Sequence, residues 1–381
     1  MPDLVAVDLP GGPEFVDALS RAWDDGNAVL PVDQRLPRRA RAALFDQLRP
    51  SQVVAESGTR RIPGSLPAAA GDALVVATSG TTGVPKGVVL THDAVTASAR
   101  ATSARLGVDP DRHRWLACLP LNHVGGLSVV TRALITGTPF EVLPSFDVPA
   151  VAARCGPDVL VSLVASALAR VGAAGWCRVV LGGSPPPEGL PANVVTTYGM
   201  TETGSGVVYD GLPLDGVELR LDATTSEIRL RGPMLLRAYR EAGRESYPLD
   251  RGGWLATGDV GAIGTDGRLH VEGRLSDLII TGGENVWPTP VERALRGHPG
   301  VQDVAVAGRP DPEWGQRVVA WVVPDPAEPP TLDELRGLVR AELASFAAPR
   351  QLVLVESLPR TAIGKVQRDK LPTPGEHGTR R

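Results

Sequence analysis

Residues 73–90 read ALVVATSGTTGVPKGVVL, in which a loop rich in glycine and hydroxyl groups separates two short apolar runs. The runs Ala73–Ala77 and Val88–Leu90 are predicted to be buried strands, because each is apolar and bounded by turn residues. The loop Thr78–Gly87 is not a Walker A sequence, since Lys86 is followed by glycine and a strand rather than by Ser or Thr opening a helix. Its backbone N–H groups, hydroxyl groups and single ammonium group nevertheless favour phosphate binding. From composition alone, a glycine-rich turn without a ligand explains the stretch equally well.

Short apolar runs alternate with segments of helical periodicity over the first two thirds of the chain. This alternation predicts a layered α/β domain with a largely buried sheet. Beyond the loop, the predicted strands are Trp115–Leu119, Phe140–Leu143, Val159–Leu163, Val179–Leu181 and Val194–Thr197, and the predicted helices are Ala94–Leu106, Leu127–Ile135, Pro149–Cys155 and Ala165–Val171. From Val217 the pattern changes to alternating strands, with Asp266-Gly267 as a hairpin turn, which predicts an antiparallel region.

A second, smaller unit is predicted to follow the sequence GRLSD at residues 273–277. Its predicted elements are the helix Pro288–Leu295, the strands Val304–Ala307 and Val318–Val322, and a helix ending at Leu343. Thr331 and Glu334 have the spacing of a capping box that opens this last helix. We therefore expect a large N-terminal domain of residues 1–275 and a small C-terminal α+β domain of residues 276–381.

The composition of the chain is that of an ordinary globular protein. Of the 381 residues, 43% are hydrophobic and 22% charged, and the net charge of -4 gives no reason to expect a nucleic-acid partner. The three cysteines are far apart and form no C-x-x-C, so neither a disulfide framework nor a zinc site is expected. Asp3 and Asp8 stand where a signal peptide would be basic, and the longest near-apolar run, Val159–Ala169, is too short to span a membrane. We expect a cytoplasmic protein, and a homo-oligomer is compatible with the sequence.

Lysine is rare in this chain. Only three of the 39 basic residues are lysines, namely Lys86, Lys365 and Lys370. Because arginine is used elsewhere, the remaining lysines are candidates for sites that need a compact ammonium group. For Lys370 alone, an exposed lysine without a role is the better interpretation. A cluster of arginines, Arg35, Arg38, Arg39 and Arg41, is interpreted as solvated helix charge rather than as a binding patch.

Four further motifs accompany the glycine-rich loop. They are Tyr198-Gly-Met-Thr-Glu-Thr203, Thr257-Gly-Asp259, Gly273-Arg274 and Gly364-Lys365. In this order the five motifs resemble those of the adenylate-forming superfamily, which contains acyl-CoA synthetases, luciferases and peptide-synthetase adenylation domains. The resemblance covers residues 28–371 and implies an α/β fold with a large layered domain of the adenylate-forming type and a small C-terminal domain. It also implies that ATP and a carboxylic acid form an acyl-adenylate, after which the acyl group passes to a thiol such as coenzyme A.

The resemblance assigns roles in ATP binding to residues that match the motifs. The phosphate-binding residues would be Thr78, Ser79, Gly80, Thr81, Thr82, Gly83 and Lys86, and the adenosine-binding residues would be Tyr198, Gly199, Asp259 and Arg274. Glu202 would hold Mg²⁺ and Thr201 would bond the α-phosphate. Lys365 would bridge the attacking carboxylate and the α-phosphate, because the reaction brings two anionic groups together and depends on charge neutralisation.

The motif Pro120-Leu-Asn-His-Val-Gly-Gly126 places His123 where acyl-CoA ligases line the acid pocket. The other pocket residues implied by the resemblance are Ser162, Gly182, Gly183 and Ser184. Gly182 and Gly183 either leave room for a flat ring or serve a tight turn from strand to loop. For a substrate with a second carboxylate, Arg132 is a weaker second candidate beside His123, since an arginine on a surface helix is the ordinary case.

The second half-reaction requires a channel for the thiol. The resemblance implies that Gly282 and Gly283 let a narrow pantetheine arm pass, where a Cβ would obstruct it. The small domain of the superfamily rotates about a hinge two residues after Arg274, and that position is usually Asp or Lys. This chain has Ser276 there, followed by Asp277, which leaves the location of the pivot open.

Three motifs narrow the resemblance within the superfamily: Pro-Leu-Asn-His-Val-Gly-Gly at 120–126, Ser-Leu-Val at 162–164 and Gly-Gly-Glu-Asn-Val-Trp-Pro at 282–288. With them the sequence most resembles the compact 2-succinylbenzoate:CoA ligases of menaquinone biosynthesis. The phosphate loop begins early, at residue 78, and Ala28–Pro37 resembles a segment that normally lies deeper in the large domain, so we expect a shortened N-terminal portion. Other aryl or short acyl acids remain alternatives. So does an adenylation protein that loads a carrier protein. A regulatory protein without catalysis is disfavoured, because Lys86, Glu202, Asp259 and Lys365 are all present.

Overall fold

The computed structural model describes residues 1–78, 85–360 and 366–373, and at Ser79 it describes the backbone alone. In chain order the elements of the first half are β1 (Leu4–Asp8), α1 (Pro13–Asp24), β2 (Ala28–Pro31), α2 (Arg38–Leu48), β3 (Gln52–Ala55), β4 (Gly58–Arg61), β5 (Asp72–Ser79), β6 (Pro85–Thr91), α3 (His92–Leu106), β7 (Arg114–Ala117), α4 (Val124–Thr136), β8 (Phe140–Val142), α5 (Val148–Ala152), β9 (Val159–Leu163), α6 (Ala165–Val171), β10 (Arg178–Leu181) and β11 (Val194–Gly199). They are followed by β12 (Gly206–Tyr209), β13 (Leu212–Pro213), β14 (Glu218–Leu221), β15 (Glu227–Arg231), β16 (Ala238–Glu241), β17 (Arg244–Ser246), β18 (Leu255–Ile263), β19 (Leu269–Arg274), β20 (Ile279–Thr281), β21 (Glu284–Val286), α7 (Pro288–Arg296), β22 (Val301–Asp311), β23 (Gly315–Pro324), α8 (Leu332–Glu342) and β24 (Gln351–Leu354). Single turns of 3₁₀ helix lie at Thr201–Thr203, Leu275–Asp277, Ser345–Ala347 and Arg368–Lys370.

The chain divides into two compact units, which are described separately. The large unit consists of Met1–Arg220, Arg229–Ala256 and Thr265–Leu269. The small unit consists of Leu221–Ile228, Thr257–Gly264 and His270–Arg381. The predicted boundary between residues 275 and 276 remains a prediction.

The first sheet of the large unit contains eight strands in the order β17-β16-β6-β5-β2-β1-β3-β4. Strand β1 pairs in parallel with β2 and β3, and all five of its residues are buried. Strands β5 and β6 pair antiparallel on either side of the glycine-rich loop, so that Thr78 lies opposite Lys86. Gly87 is required by close packing, because a Cβ atom there would lie 2.5 Å from Cγ1 of Val75. Thr78 and Lys86, which flank the predicted phosphate-binding segment, therefore lie side by side at the end of a tightly packed strand pair.

The second sheet of the large unit contains seven strands in the order β13-β12-β11-β10-β9-β7-β8. Strands β8, β7, β9, β10 and β11 pair in parallel, and β12 adds to β11 in the antiparallel direction. Residues Val159, Val161 and Leu163 of β9 belong to an apolar core on one face of this sheet. Since side chains alternate along a strand, Leu160 and Ser162 lie on the opposite face. Trp115 pairs in register with Leu160, so Trp115 and Ser162 share that face.

Strands β14, β15, β18 and β19 form a third sheet in that order. The fourth sheet belongs to the small unit, where β22 and β23 form a long antiparallel hairpin and β24 pairs in parallel with β23. Helices α7 and α8 contribute Val291, Leu295, Leu335 and Val339 to the core against this hairpin. The predicted capping box is present, because the Thr331 hydroxyl accepts from Glu334 N and the Glu334 carboxylate accepts from Thr331 N.

The predicted α/β class with a large N-terminal and a small C-terminal part is confirmed. Strand Val159–Leu163 and helix Ala165–Val171 have the predicted bounds. Helix α5 ends at Ala152 rather than at the predicted Cys155. Strands β22 and β23 are longer than predicted, because their polar outer residues extend the hairpin beyond the apolar run that marked it. Among the described residues, no helix has the length and apolarity needed to cross a membrane.

Candidate functional site

The ammonium group of Lys86 lies over an aromatic ring. Its Nζ atom is 3.6 Å from the centroid of the Tyr239 ring, and the backbone carbonyl of Lys86 accepts a hydrogen bond from Thr78 Oγ1 at 3.4 Å. Thr78 and Lys86 are thus held together at the end of the β5–β6 pair. The predicted phosphate ligands Gly80, Thr81, Thr82 and Gly83 and the side chain of Ser79 lie outside the described residues.

Glu202 lies in the 3₁₀ turn that follows β11. Its Oε1 atom accepts a hydrogen bond from the Tyr239 hydroxyl at 2.9 Å, and its backbone carbonyl accepts one from Leu236 N at 2.8 Å. The turn itself is held by buried Thr203, whose hydroxyl donates to Ser205 O at 2.6 Å and accepts from Met200 N at 2.9 Å. The half-buried carboxylate of Glu202 is therefore positioned from both its backbone and its side chain.

Glu202 offers a single carboxylate, which suits Mg²⁺ that is bound together with substrate phosphates. Within the described residues, no group of three or more His, Cys, Asp or Glu side chains forms a site that would hold a metal ion by itself. Mg²⁺ typically keeps several waters and binds through one or two carboxylates together with substrate phosphates. A single oriented carboxylate fits that mode of binding.

The predicted nucleoside residues of the large unit are Tyr198 and Gly199, at the end of β11. Tyr198 is half-buried and Gly199 is exposed. A Cβ atom at Gly199 would lie 2.3 Å from Ser205 O, so the close approach of the backbone excludes any other residue there. Thr201, the predicted α-phosphate ligand, is half-buried in the same turn as Glu202.

His123 stands immediately before helix α4, at its N-cap position. Its Nε2 atom lies 3.3 Å from Nδ2 of Asn122. Burial lowers the pKa of His123 below its ordinary value of 6.5, while the nearby carboxylate of Asp33 acts in the opposite direction. At neutral pH the imidazole is therefore mainly uncharged, so the structure favours a hydrogen-bonding role for His123 over a cationic one.

Arg132 lies on the same helix and is only 1% exposed, so the expectation of an ordinary surface arginine is wrong. Its guanidinium stacks on Trp115, 4.7 Å from the ring centroid, and its Nη2 atom donates to Ser205 Oγ at 3.1 Å. Nε and Nη1 are buried and have no hydrogen-bond partner in the described part of the chain. The small cavity next to the guanidinium is also lined by Ser98, Ser128 and Thr131. The cavity holds about 10 Å³, which is room for one water molecule, and the two nitrogen atoms keep their capacity to donate hydrogen bonds.

The other predicted acid-pocket residues lie along β9 and β10. Ser162 is buried and occupies the sheet face of Trp115, the residue on which Arg132 stacks. Gly182 packs on Thr197, whose Oγ1 atom would lie 2.6 Å from a Cβ atom at residue 182. Gly183 has a φ of +86° and, like Ser184, is exposed. Of the two accounts of the glycine pair, a tight turn is directly supported at Gly183, and the contact with Thr197 requires a glycine at 182.

Asp259 and Arg274, the predicted ribose ligands, form an ion pair within the small unit. Arg274 Nε lies 2.6 Å from Asp259 Oδ1, and Asp259 is only 7% exposed. Thr257 supports this part of strand β18, because its hydroxyl accepts from Asp259 N at 3.0 Å and donates to Ile228 O at 2.7 Å. The sequence Thr257-Gly-Asp259 thus lies within β18 and presents one buried carboxylate.

The predicted thiol-channel and hinge residues also belong to the small unit. Gly282 and Gly283 have φ angles of +61° and +85°, which favour glycine. A Cβ atom at Gly282 would lie 2.8 Å from the Trp314 ring, whereas nothing lies within 4 Å of one at Gly283. Ser276 donates to Asp277 Oδ1 at 3.4 Å in the 3₁₀ turn after β19.

Lys365, the predicted adenylation lysine, lies outside the described residues. The segments on either side of it are well anchored. Arg360 and Val366 form an isolated antiparallel bridge. Arg368 donates to Glu292 Oε1 at 2.7 Å and to Asp277 Oδ2 at 3.1 Å. Ion pairs of the small unit thus hold the segment that follows Lys365.

Sequence profiles identify the class of protein that this fold and these residues define. Residues 55–228 match the profile of the AMP-binding enzyme family, and residues 290–365 match that of the AMP-binding enzyme C-terminal domain. The chain belongs to the AMP-binding enzyme family, as the five motifs predicted.

Individual relatives have names that specify a substrate, which the family profiles do not. The chain is 45% identical over 324 residues to a protein of Mycobacterium tuberculosis strain H37Rv named "Probable 2-succinylbenzoate--CoA ligase", with 78% of this chain and 83% of the relative covered. It is 36% identical over 329 residues to the 2-succinylbenzoate–CoA ligase of Listeria monocytogenes strain F2365, with 78% of this chain and 69% of the relative covered.

The chain is also similar in structure to solved o-succinylbenzoate CoA synthetases. The o-succinylbenzoate CoA synthetase (MenE) of Bacillus subtilis in complex with the acyl-adenylate intermediate OSB-AMP is 29% identical with a TM-score of 0.83, and the match covers 97% of this chain and 87% of that chain. The same enzyme in complex with ATP and a magnesium ion is 27% identical with a TM-score of 0.81, covering 97% and 89%.

Two groups at the site were not predicted from the sequence. Tyr239 lies on the short strand β16, whose sequence AYRE carries no motif among the five. Asp33 lies in a loop and acts on His123 only through space. In the arginine cluster, Arg38 and Arg39 are exposed on α2, as solvated helix charge would be.

The other two arginines of the cluster form ion pairs, Arg41 with buried Asp8 at 2.7 Å and Arg35 with Asp33 at 2.8 Å. Neither Tyr239 nor Asp33 had a signal in the sequence, because their contacts depend on how distant segments meet.

Proposed function

We propose that this chain is a 2-succinylbenzoate:CoA ligase that acts in the cytoplasm. In the first half-reaction a carboxylate of the acid attacks the α-phosphate of ATP, giving the acyl-adenylate and pyrophosphate. In the second, the thiol of coenzyme A displaces AMP to give the thioester. The similarity to named ligases of this substrate supports the reaction, and the charges of the large unit support the acid.

The similarity to ligases named for 2-succinylbenzoate carries the choice of acid, and Arg132 is the candidate partner for its second carboxylate. The cavity beside the guanidinium holds about 10 Å³, so it has to open to admit that carboxylate. The guanidinium of Arg132 is buried, it stacks on Trp115, and two of its nitrogen atoms have no partner among the described residues. The substrate 2-succinylbenzoate carries a second carboxylate besides the one that reacts. Pairing of a buried arginine with that carboxylate would offset the cost of burying the cation, which a plain aryl or fatty acid does not do. Ser162 on the same sheet face adds a hydroxyl group that suits a keto oxygen.

In adenylation, the cationic residues neutralise the anionic substrates, and the other residues bind by hydrogen bonds or hold the metal ion. Lys86 and the backbone of the loop at 78–86 neutralise the β- and γ-phosphates, and Lys365 neutralises the attacking carboxylate and the α-phosphate. Neutral His123 donates or accepts a hydrogen bond in the acid pocket without attracting a further anion. Glu202 would hold the metal ion, and a bound metal ion would supply positive charge to the phosphates. Asp259 accepts hydrogen bonds from the ribose hydroxyls, with Arg274 beside it.

A panel of acids tests this proposal. ATP-dependent pyrophosphate release is measured with 2-succinylbenzoate, benzoate and medium-chain fatty acids, with and without coenzyme A. We expect preference for 2-succinylbenzoate and a CoA-dependent thioester. Preference for another acid would reject the substrate but keep the reaction. Transfer to a phosphopantetheinyl carrier protein but not to free coenzyme A would reject the ligase.

The variant Arg132→Met tests the role of the guanidinium. Methionine keeps most of the apolar stem and removes a buried charge that has no carboxylate partner in the described chain, so we expect the Tm to be unchanged or higher. We expect KM for 2-succinylbenzoate to rise about tenfold to a hundredfold, as for a lost hydrogen-bonded charge pair, and the KM for ATP to stay the same. An unchanged KM for the acid would show that another group reads its second carboxylate.

A further inference from the structure

One aromatic side chain contacts both charged groups of the phosphate site. Lys86 Nζ lies 3.6 Å from the centroid of the Tyr239 ring, and the Tyr239 hydroxyl donates to Glu202 Oε1 at 2.9 Å. The ammonium group occupies the face of the ring and the carboxylate occupies its hydroxyl edge. All three residues belong to the large unit.

Backbone pairing holds the three residues in place. Strand β16 pairs antiparallel with β6, so that Tyr239 lies opposite Val88. Lys86 is two residues from Val88 and therefore shares its face as a diagonal neighbour of Tyr239, within reach of a long side chain. On the other side, Leu236 N donates to Glu202 O at 2.8 Å and ties the 3₁₀ turn to the chain that leads into β16. The contacts of the phenol are thus set by the fold.

The arrangement keeps two opposite charges from neutralising each other. Lys86 and Glu202 contact the same ring, yet within the described residues neither of them forms an ion pair, although arginine–carboxylate pairs are common elsewhere in the chain. A long, flexible lysine this close to a carboxylate would otherwise pair with it. The aromatic face attracts the ammonium group without cancelling its charge, and the phenol satisfies one lone pair of the carboxylate while leaving the rest for a metal ion.

We propose that Tyr239 is a positioning residue that separates Lys86 from Glu202, so that the ammonium group stays available to the phosphates of ATP and the carboxylate to Mg²⁺. The inference rests on the proposed function, because it assumes that these two residues bind MgATP. Tyr239 contacts neither ligand in this assignment. It acts only through the two charged groups.

Two substitutions separate the two contacts. Tyr239→Phe keeps the ring under Lys86 and removes the hydrogen bond to Glu202. Tyr239→Leu removes both and lets the two charges meet. The readout is the equilibrium Kd of ATP by calorimetry, with and without Mg²⁺, with Tm as a measure of folding. Tyr247→Phe is the matched control, because Tyr247 is exposed and its hydroxyl also donates to a carboxylate, that of Glu245, at 3.1 Å.

For Tyr239→Phe we expect MgATP binding to weaken about tenfold, as for one lost hydrogen bond to a charged group, and metal-free ATP binding to stay the same. For Tyr239→Leu we expect both forms to bind more weakly, because Lys86 pairs with Glu202. In the double variant Tyr239→Leu/Glu202→Gln the competing charge is removed. Metal-free ATP binding should then return to the wild-type value, an effect that a merely structural role of Tyr239 would not produce.

Other outcomes overturn the proposal. Equal weakening of both ATP forms in Tyr239→Phe would contradict the role at Glu202, as would a lower Tm with unchanged binding. No recovery in the double variant would contradict the separation of charges. Failure of the wild-type protein to bind MgATP or to exchange pyrophosphate would instead reject the proposed function. A wild-type protein that does both, with variants that bind normally, would reject only the role of Tyr239.

Discussion

Arg274 and Asp259 form an ion pair with 2.6 Å between Nε and Oδ1, and the carboxylate is almost completely buried. The two residues come from separate motifs, and both were predicted from the sequence as ribose ligands. Their contact means that the carboxylate is already oriented by an arginine before a nucleotide is bound. Orientation in advance reduces the entropy that binding would otherwise cost.

Replacement of Asp259 by Asn tests this arrangement. The amide keeps the shape but loses the charge that pairs with Arg274, so we expect the Kd of ATP to rise about tenfold to a hundredfold, as for the loss of one hydrogen bond to a charged group. Calorimetric titration with ATP measures the change. Asp266→Asn is the control, because Asp266 is exposed and its pair with Arg268 is long, at 3.4 Å. Equal affinity in Asp259→Asn and Asp266→Asn would remove Asp259 from the nucleotide site.

Replacement of Lys365 by Ala is expected to slow acyl-adenylate formation roughly a thousandfold. Two unit charges ~4 Å apart interact by about 4 kcal/mol at an effective dielectric constant of 20, which corresponds to this change in rate. Pyrophosphate exchange measures the first half-reaction directly. Lys370→Ala is the matched control, because Lys370 is exposed in the 3₁₀ turn Arg368–Lys370 and we expect it to have no role. Undiminished exchange in Lys365→Ala would show that another group neutralises the carboxylate.

Replacement of Gly283 by Trp is expected to impair thioester formation and to spare adenylation. A Cβ atom at this position meets nothing within 4 Å, so a side chain can leave the backbone there without a clash, and we expect the large ring to obstruct the thiol ligand. Because φ at Gly283 is +85°, any other residue is strained there, and Gly283→Ala carries that strain without the bulk. Single-turnover assays of the two half-reactions compare the variants. If both half-reactions fall equally in Gly283→Trp, or if Ala impairs thioester formation as much as Trp, the channel assignment is wrong.

The charge of His123 can be followed by NMR titration. Burial lowers the pKa of this imidazole, so we expect it below the ordinary 6.5. In Asp33→Asn it should fall further, because the carboxylate that favours protonation is gone. Arg35→Gln should change it in the opposite direction, since the guanidinium of Arg35 also lowers the pKa. A pKa above 6.5 in the wild-type protein would contradict the neutral acid pocket.

The same shift makes stability depend on pH. The imidazole of the unfolded chain takes up its proton near pH 6.5, whereas that of the folded chain does so only at lower pH. As the pH falls through this range the unfolded chain therefore binds more protons, and the free energy of unfolding falls. Denaturation of wild type and His123→Gln at about pH 7.5 and 5.5 measures the effect, and the loss should be smaller in the variant. His270→Gln, a substitution at an exposed histidine, should lose as much as the wild type.

The parts of the fold that could be predicted are those whose cause is local. Strand Val159–Leu163 is apolar at every position except Ser162, as is typical of a strand buried on both faces. Thr331 with Glu334 caps the first turn of α8 locally. The loop at 78–87 could be recognised only together with the other four motifs, because by composition alone a glycine-rich turn without a ligand explains it equally well. In contrast, β16 and the polar ends of β22 and β23 are strands because they pair with neighbouring strands, β16 with β6 and β22 with β23. Their own composition does not predict a strand.

The sequence by itself determined the class of this protein, its division into a large and a small part, and the residues that match the motifs of an adenylate-forming enzyme. These follow from periodicity and from short motifs, in which each residue is constrained by the backbone next to it or by the ligand. Only the tertiary structure decided the burial of Arg132, the neutral state of His123 and the position of Tyr239 between Lys86 and Glu202. Burial and charge at a site depend on side chains from segments that are far apart in sequence, and no local pattern carries that information.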